Sequence, residues 1–226
     1  MTKAVTKICG VTRPADAVRA VELGAALIGL NFHPPSPRSL TPERALEIAA
    51  AVRGAEGGEH VRLVGIFVDL PRERIEAIDR GVGLDLVQLH GDPTPEDAAP
   101  FAGRALVVTR VPAQEPPTAA ELTERMAAFP DAWGFLCDVR PDVSRGKLWG
   151  GSGESFAWEL LAGVDRDRLG GRPLLVAGGI TPDNAARALA ESGADGVDVA
   201  SGVESEPGVK DAALMERLLR EVADAA

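Results

Sequence analysis

No apolar run in this 226-residue chain approaches the ~18 residues that a membrane-spanning helix needs. Met1–Lys7 also lacks the apolar core of a signal peptide and passes straight into a strand-like segment. Cysteine is scarce, with only Cys9 and Cys137, so a disulfide framework is not suggested and a reducing cytoplasm fits best. No group of histidines, cysteines or carboxylates has metal-ligand spacing, and no glycine fingerprint marks a dinucleotide site. Neither a metal nor a cofactor is therefore expected. Positive charge is in deficit: 24 Lys and Arg stand against 34 Asp and Glu, a net charge of −10. Such a surface repels nucleic acid and anionic lipid, which excludes both as partners. A small anionic substrate would need a local positive pocket built against that background.

What the chain does have is a regular alternation of short apolar runs and helix-like stretches. The runs are 4–9, 27–32, 61–68, 84–89, 105–111, 134–138, 174–177 and 196–199. They are nearly continuous in hydrophobicity, as strands covered by helices should be. Helices are predicted over 14–23, 42–53, 71–80, 95–101, 119–129, 154–162, 182–191 and 209–223. Several open on a capping residue followed by proline, as at Thr41-Pro42, Thr94-Pro95 and Thr181-Pro182, and Gly24, Gly81 and Gly193 are expected to stop helices. Eight units of about 28 residues match a βαβ repeat and predict one α/β domain over 1–226, a (β/α)8 TIM barrel. The long connection Val139–Ser152 reads as a lid over the site.

A barrel of this kind collects its chemistry where strands end. Polar residues do gather there: Cys9, Asn31, Asp69, Gln88, His90, Arg110, Asp138 and Ser201. Two readings of Cys9 stand side by side. A free cysteine is usually a small buried hydrophobe, but Lys7 lies two residues earlier on the same strand face, and a nearby ammonium would lower the thiol pKa and favour thiolate. Asp138 follows the apolar Phe135-Leu136-Cys137; there it is either a cap or loop ion pair, or a carboxyl in dry surroundings whose raised pKa suits a general acid. Cys137 must face the helices and reads as packing.

Three glycine-rich turns lie at 150–153, 178–179 and 201–202, and the latter two follow strands seven and eight. Those loops are the usual phosphate cradle of such barrels, because bare backbone N–H groups can approach an anion closely. Gly151, Gly178, Gly179, Ser201 and Gly202 are the candidates. Arg38, in a proline-stiffened loop, is either an exposed arginine or a fixed partner for a carboxylate. Gln88 and His90 share a face at the end of strand four, with His90 in a supporting role. Asp198 reads equally as a residue of the barrel mouth or as a structural carboxylate.

Taken together, Lys7-Ile8-Cys9-Gly10-Val11-Thr12, Gly29-Leu30-Asn31-Phe32 with Ser36-Pro37-Arg38, and Val87-Gln88-Leu89-His90-Gly91 resemble the phosphoribosylanthranilate isomerase family. Asp138, Gly150-Gly151-Ser152-Gly153, Ala177-Gly178-Gly179-Ile180 and Ser201-Gly202-Val203-Glu204 with Pro207-Gly208 extend the likeness over essentially the whole chain. It departs at Ala157, where the family commonly has aspartate, and at Ala200, where it often has serine. The resemblance implies a TIM barrel that isomerises N-(5-phosphoribosyl)anthranilate in tryptophan biosynthesis, with a phosphosugar as its small-molecule partner and no cofactor. It implies Cys9 as general base and Asp138 as general acid. Arg38 would hold the substrate carboxylate, and the glycine turns its phosphate. Lys7, Gln88, His90 and Asp198 complete the expected binding set, in a monomer or homodimer. The competing readings are the related phosphosugar isomerase of histidine biosynthesis, which has aspartate where Cys9 stands, and a phosphosugar-binding barrel without catalysis.

Overall fold

β1 (Val5–Ile8) is four residues long, yet hydrogen bonding uses both of its edges. It lies parallel to β2 (Leu27–Asn31) on one side and to β8 (Gly196–Val199) on the other. That double pairing closes the sheet. Between them run β3 (Arg62–Val68), β4 (Leu86–His90), β5 (Ala105–Pro112), β6 (Gly134–Arg140) and β7 (Leu174–Val176), all parallel and in sequence order. The computed structural model describes residues 4–112, 115–140 and 158–225. The expected lid and the Gly150–Gly153 turn, with Gly151, fall mostly or wholly outside the described residues.

Helices cover the strands: α1 (Pro14–Glu22), α2 (Pro42–Gly54), α3 (Arg72–Val82), α4 (Pro95–Ala98), α5 (Ala119–Ala127), α6 (Glu159–Ala162), α7 (Ala185–Ser192) and α8 (Ala212–Asp224). Side-chain caps account for several starts. Thr41 accepts from the Arg44 N–H, and Thr94 and Thr118 form reciprocal capping boxes with Asp97 and Glu121. Among the described residues, no helix is long and apolar enough to cross a membrane.

The period-2 alternation of the strands separates two cores. Outward residues such as Ile8, Ile28, Leu63, Val87, Val107, Phe135 and Val197 pack with helix residues such as Ala17, Ile48, Leu122, Met126 and Leu218. Inward residues Leu27, Val64, Leu86, Leu106, Leu136 and Leu175 form a separate apolar plug inside the barrel. The plug fills the strand starts and leaves the strand ends for other side chains.

Four boundaries differ from the sequence reading. Gly83, in the left-handed conformation, rather than Gly81, ends α3. The predicted 95–101 helix tightens after one turn into a 3₁₀ segment, Ala99–Phe101, and α7 begins at Ala185, three residues after the proline. Most consequentially, Val209 and Lys210 do not open the last helix. They form β10, antiparallel to β9 (Glu204–Glu206), and α8 begins only after Asp211, whose side chain accepts from the Ala213 and Leu214 N–H groups. The short hairpin costs α8 its first turn but carries two charged residues back over the barrel mouth.

Candidate active site

Closure sets the register Lys7↔Asp198 between β1 and β8. Both residues have the parity that points inward, and the Lys7 ammonium meets Asp198 Oδ1 at 2.8 Å with its side chain fully buried. Gly29 on β2 makes the room: a Cβ there would sit 3.1 Å from Lys7 Nζ and 3.0 Å from Ile66 Cδ1. Burial alone would pull the ammonium down, but Asp198 and Cys9 together hold it above the ordinary lysine value.

Cys9 follows β1, is partly exposed, and feels the charge of the Lys7 ammonium. Its thiol nonetheless does not shift as the sequence suggests. Desolvation, then the Asp198 charge, push it above the ordinary cysteine value; Lys7 and Lys210 pull it back without cancelling the rise. One strand-mate cation, read from sequence, was outweighed by groups that arrive only with the fold.

Asp138 sits near the end of β6, paired in register with Arg110. Burial, followed by the Asp198 charge, raises its carboxyl to about 7, with Lys7 acting in opposition. Asp138 and Cys9 thus share two charged neighbours, Lys7 and Asp198. Adjacent Cys137 faces the helix-side core, where burial pushes its thiol to about 12. On β4, Gln88 is buried with Oε1 lacking a hydrogen-bond partner among the described residues, and His90 lies partly exposed at the strand end.

Arg38 is held by more than the prolines of its loop. Asn31 accepts from the His33 N–H at 2.8 Å and donates to Ser36 Oγ at 3.3 Å, and Ser36 Oγ accepts the Arg38 N–H at 3.2 Å. The guanidinium then forks onto Glu204, Nε to Oε1 at 2.8 Å and Nη2 to Oε2 at 2.5 Å. Its methylenes lie over Gly10, which has φ +68° and where a Cβ would run into Arg38 Cδ. The glycine after Cys9 is thus required twice, by conformation and by contact.

The turns after β7 and β8 meet. Gly178 and Gly179 both have positive φ, and Gly202 lies so close to Ile180 that a Cβ would overlap its carbonyl oxygen. Asn184 fixes the first turn by accepting from the Thr181 N–H at 2.8 Å and donating to Gly179 O at 3.0 Å. Gly178, Gly179, Ser201 and Gly202 therefore belong to one patch of backbone at the strand ends. No group of three or more potential metal-binding side chains occurs among the described residues.

Residues 6–221 match the family described as N-(5'phosphoribosyl)anthranilate (PRA) isomerase. The chain belongs to this family. N-(5'-phosphoribosyl)anthranilate isomerase of Halorhodospira halophila is 43% identical over 216 residues, 96% of this chain and 95% of that relative. The Rhodospirillum rubrum isomerase is 41% identical over 212 residues, 93% and 94% of the two chains. Among solved structures, phosphoribosyl anthranilate isomerase of Thermotoga maritima superposes with a TM-score of 0.79 at 33% identity, covering 97% of this chain and 98% of its own. A phosphoribosyl anthranilate isomerase in complex with reduced 1-(o-carboxyphenylamino)-1-deoxyribulose 5-phosphate superposes with a TM-score of 0.77 at 31% identity and the same coverage.

Sequence reasoning about this isomerase did not assign functional positions to Glu204 and Lys210. Glu204 appeared within a family motif, and Lys210 was read as part of a helix. The available signal was an acidic and a basic residue flanking Pro207-Gly208, a turn-forming pair that suits a hairpin.

Proposed function

We propose that Asp138 is the general acid and Cys9 the general base of the isomerisation for which the family is named. In this reaction N-(5-phosphoribosyl)anthranilate becomes 1-(2-carboxyphenylamino)-1-deoxyribulose 5-phosphate by an Amadori rearrangement. Asp138 gives its proton to the furanose ring oxygen, the C1–O bond breaks, and the anilino nitrogen lone pair forms an iminium. Cys9 as thiolate removes the C2 proton, and the electron pair left on C2 neutralises the iminium to an enolamine. Protonation at C1 with loss of the C2 hydroxyl proton then yields the ketone. Every step moves a proton or a lone pair, so the two side chains suffice for the chemistry.

The observation that carries this reading is the shared Lys7–Asp198 pair between acid and base. A carboxyl at about 7 still holds a proton near neutrality, as an acid must. The thiolate is the minority form of Cys9, and the adjacent Lys7 ammonium compensates its charge when it forms. Arg38 takes the anthranilate carboxylate. Its fork edge is occupied by Glu204, so Nη1 is the guanidinium nitrogen that Glu204 leaves unengaged. The joined glycine patch of Gly178, Gly179, Ser201 and Gly202 takes the phosphate through backbone N–H groups. Gripping both ends of the substrate fixes the sugar between thiol and carboxyl.

The deciding experiment is loss of phosphoribosylanthranilate fluorescence on adding purified protein; undiminished fluorescence overturns the assignment. The histidine-pathway substrate should remain unchanged, and its turnover would make the protein bifunctional.

A further inference from the structure

Glu204, Arg38 and Lys210 form a buried charge cluster whose composition is odd for a carboxylate grip. The Glu204 side chain is 4% exposed and binds Arg38 through both oxygens. An arginine so paired is electrically neutral overall, and a neutral pair has little attraction for an anion in a protein of net charge −10. The hairpin supplies what is missing. Lys210 Nζ donates to Glu204 Oε1 at 2.7 Å and to Ala200 O at 3.0 Å, with none of its side chain exposed. Two cations around one carboxylate leave the cluster at +1.

The hairpin is anchored where this requires. The Lys210 N–H donates to Asp16 Oδ2 at 3.1 Å, Arg13 Nη2 donates to Lys210 O at 3.4 Å, and Thr12 Oγ1 donates to Gly208 O at 2.5 Å. Asp16 and Arg13 are themselves joined by a two-point ion pair. Burial pulls the Lys210 ammonium down, and Glu204 opposes that shift. The anchoring fixes a desolvated cation beside the loop that begins with Cys9.

We propose that Lys210 is a positioning residue: clamped to Glu204, it keeps the Arg38–Glu204 pair net cationic beside Cys9 and holds the guanidinium in its aim. This rests on the acid–base reading above for what Arg38 grips, and extends it to residues that touch no substrate. The charged groups around Cys9 are Lys7 on β1, Asp198 on β8, Arg38 after β2 and Lys210 on β10, with Asp138 on β6 linked to it through Lys7 and Asp198. Among these, Lys210 is the cation supplied by the β9–β10 hairpin, outside the barrel sheet.

The test reads Cys9 directly. Iodoacetamide alkylation, located by mass spectrometry, is followed against pH in the native protein and in Lys210→Met and Lys210→Gln, with folding checked by circular dichroism. Cys137 is fully buried and stays silent. Loss of the cation should move the Cys9 profile to higher pH and slow alkylation at least about threefold at pH 8, since only thiolate reacts. An unmoved profile in folded variants overturns the proposal. This arm needs no turnover: a shifted profile in a protein inactive on phosphoribosylanthranilate supports Lys210 while defeating the mechanism. Should both variants fail to fold, Glu204→Gln, which retains Lys210, reads the other half. With the carboxylate gone and both cations kept, the cluster goes from +1 to +2, so the Cys9 alkylation profile should move to lower pH and the rate at pH 8 should rise about threefold. An unmoved Cys9 profile in folded Glu204→Gln overturns the proposal.

Discussion

The two ends of this barrel are built on opposite rules. At the strand starts, Leu27, Val64, Leu86, Leu106, Leu136 and Leu175 fill the interior with apolar volume. At the strand ends, the inward positions hold Lys7, Gln88, Asp138 and Asp198. The plug is apolar throughout, whereas the polar groups at the mouth are themselves buried, and burial shifts the titration of Lys7 and Asp138. Stability and reactivity are therefore not shared evenly along a strand. β4 and β6 show it within one strand, with Leu86 and Leu136 packing at the start and Gln88 and Asp138 at the mouth.

The sharpest way to break this contrast is at the acid. Asp138→Asn should lower kcat by roughly 10²–10⁴ while leaving KM nearly unchanged, because the amide fills the site without a proton to give. Steady-state fluorescence kinetics measure this, and near-native kcat would refute the role. Cys9→Ala should act alike. At the other end, Leu106→Ala should cost about 2–5 kcal/mol of stability by denaturant unfolding while the remaining folded molecules keep native kcat. A plug variant with intact stability and lost turnover would reverse the assignment of the two ends.

Asp138 also links the ends through pH. Its folded carboxyl titrates at about 7, against an ordinary value of 3.8. The folded state therefore binds the proton more tightly than the unfolded chain, and stability falls as pH rises from about 4 to about 7. Asp138→Asn removes that loss. The variant should exceed the native protein in stability at pH 8 by on the order of 4 kcal/mol and match it near pH 4, as thermal melts at the two pH values would show. Equal melting at pH 8 would mean the carboxyl is not held in dry surroundings. Smaller still, Arg38→Ala should chiefly raise KM, and Arg72→Ala, which breaks an exposed pair with Glu76, should shift stability by less than about 0.5 kcal/mol.

Much of this was legible in the sequence because it depends on period and order. Alternation placed Lys7 and Cys9 on one face and turned Cys137 toward the helices, as the structure also has it. The strand count placed Asp198 near the mouth but left its role open, since only the β1–β8 register brings it to Lys7. The direction of the Cys9 shift was not legible, because it sums desolvation and the Asp198 charge, both products of closure. Lys210 was missed for a local reason. β9 and β10 span three and two residues, too short to show a strand period, and the strong pattern of α8 absorbed them.

The seam of the barrel joins its first strand, β1, to its eighth, β8. A nascent chain halted before residue 196 lacks the Asp198 carboxylate that Lys7 binds, and one halted before residue 210 has no Lys210 to set against Glu204. The thiol acquires its surroundings only once residues 198 and 210 have joined the chain. A fragment with most of the helices in place but without β8 would remain catalytically silent, and the first turnover would report that β1 and β8 had met.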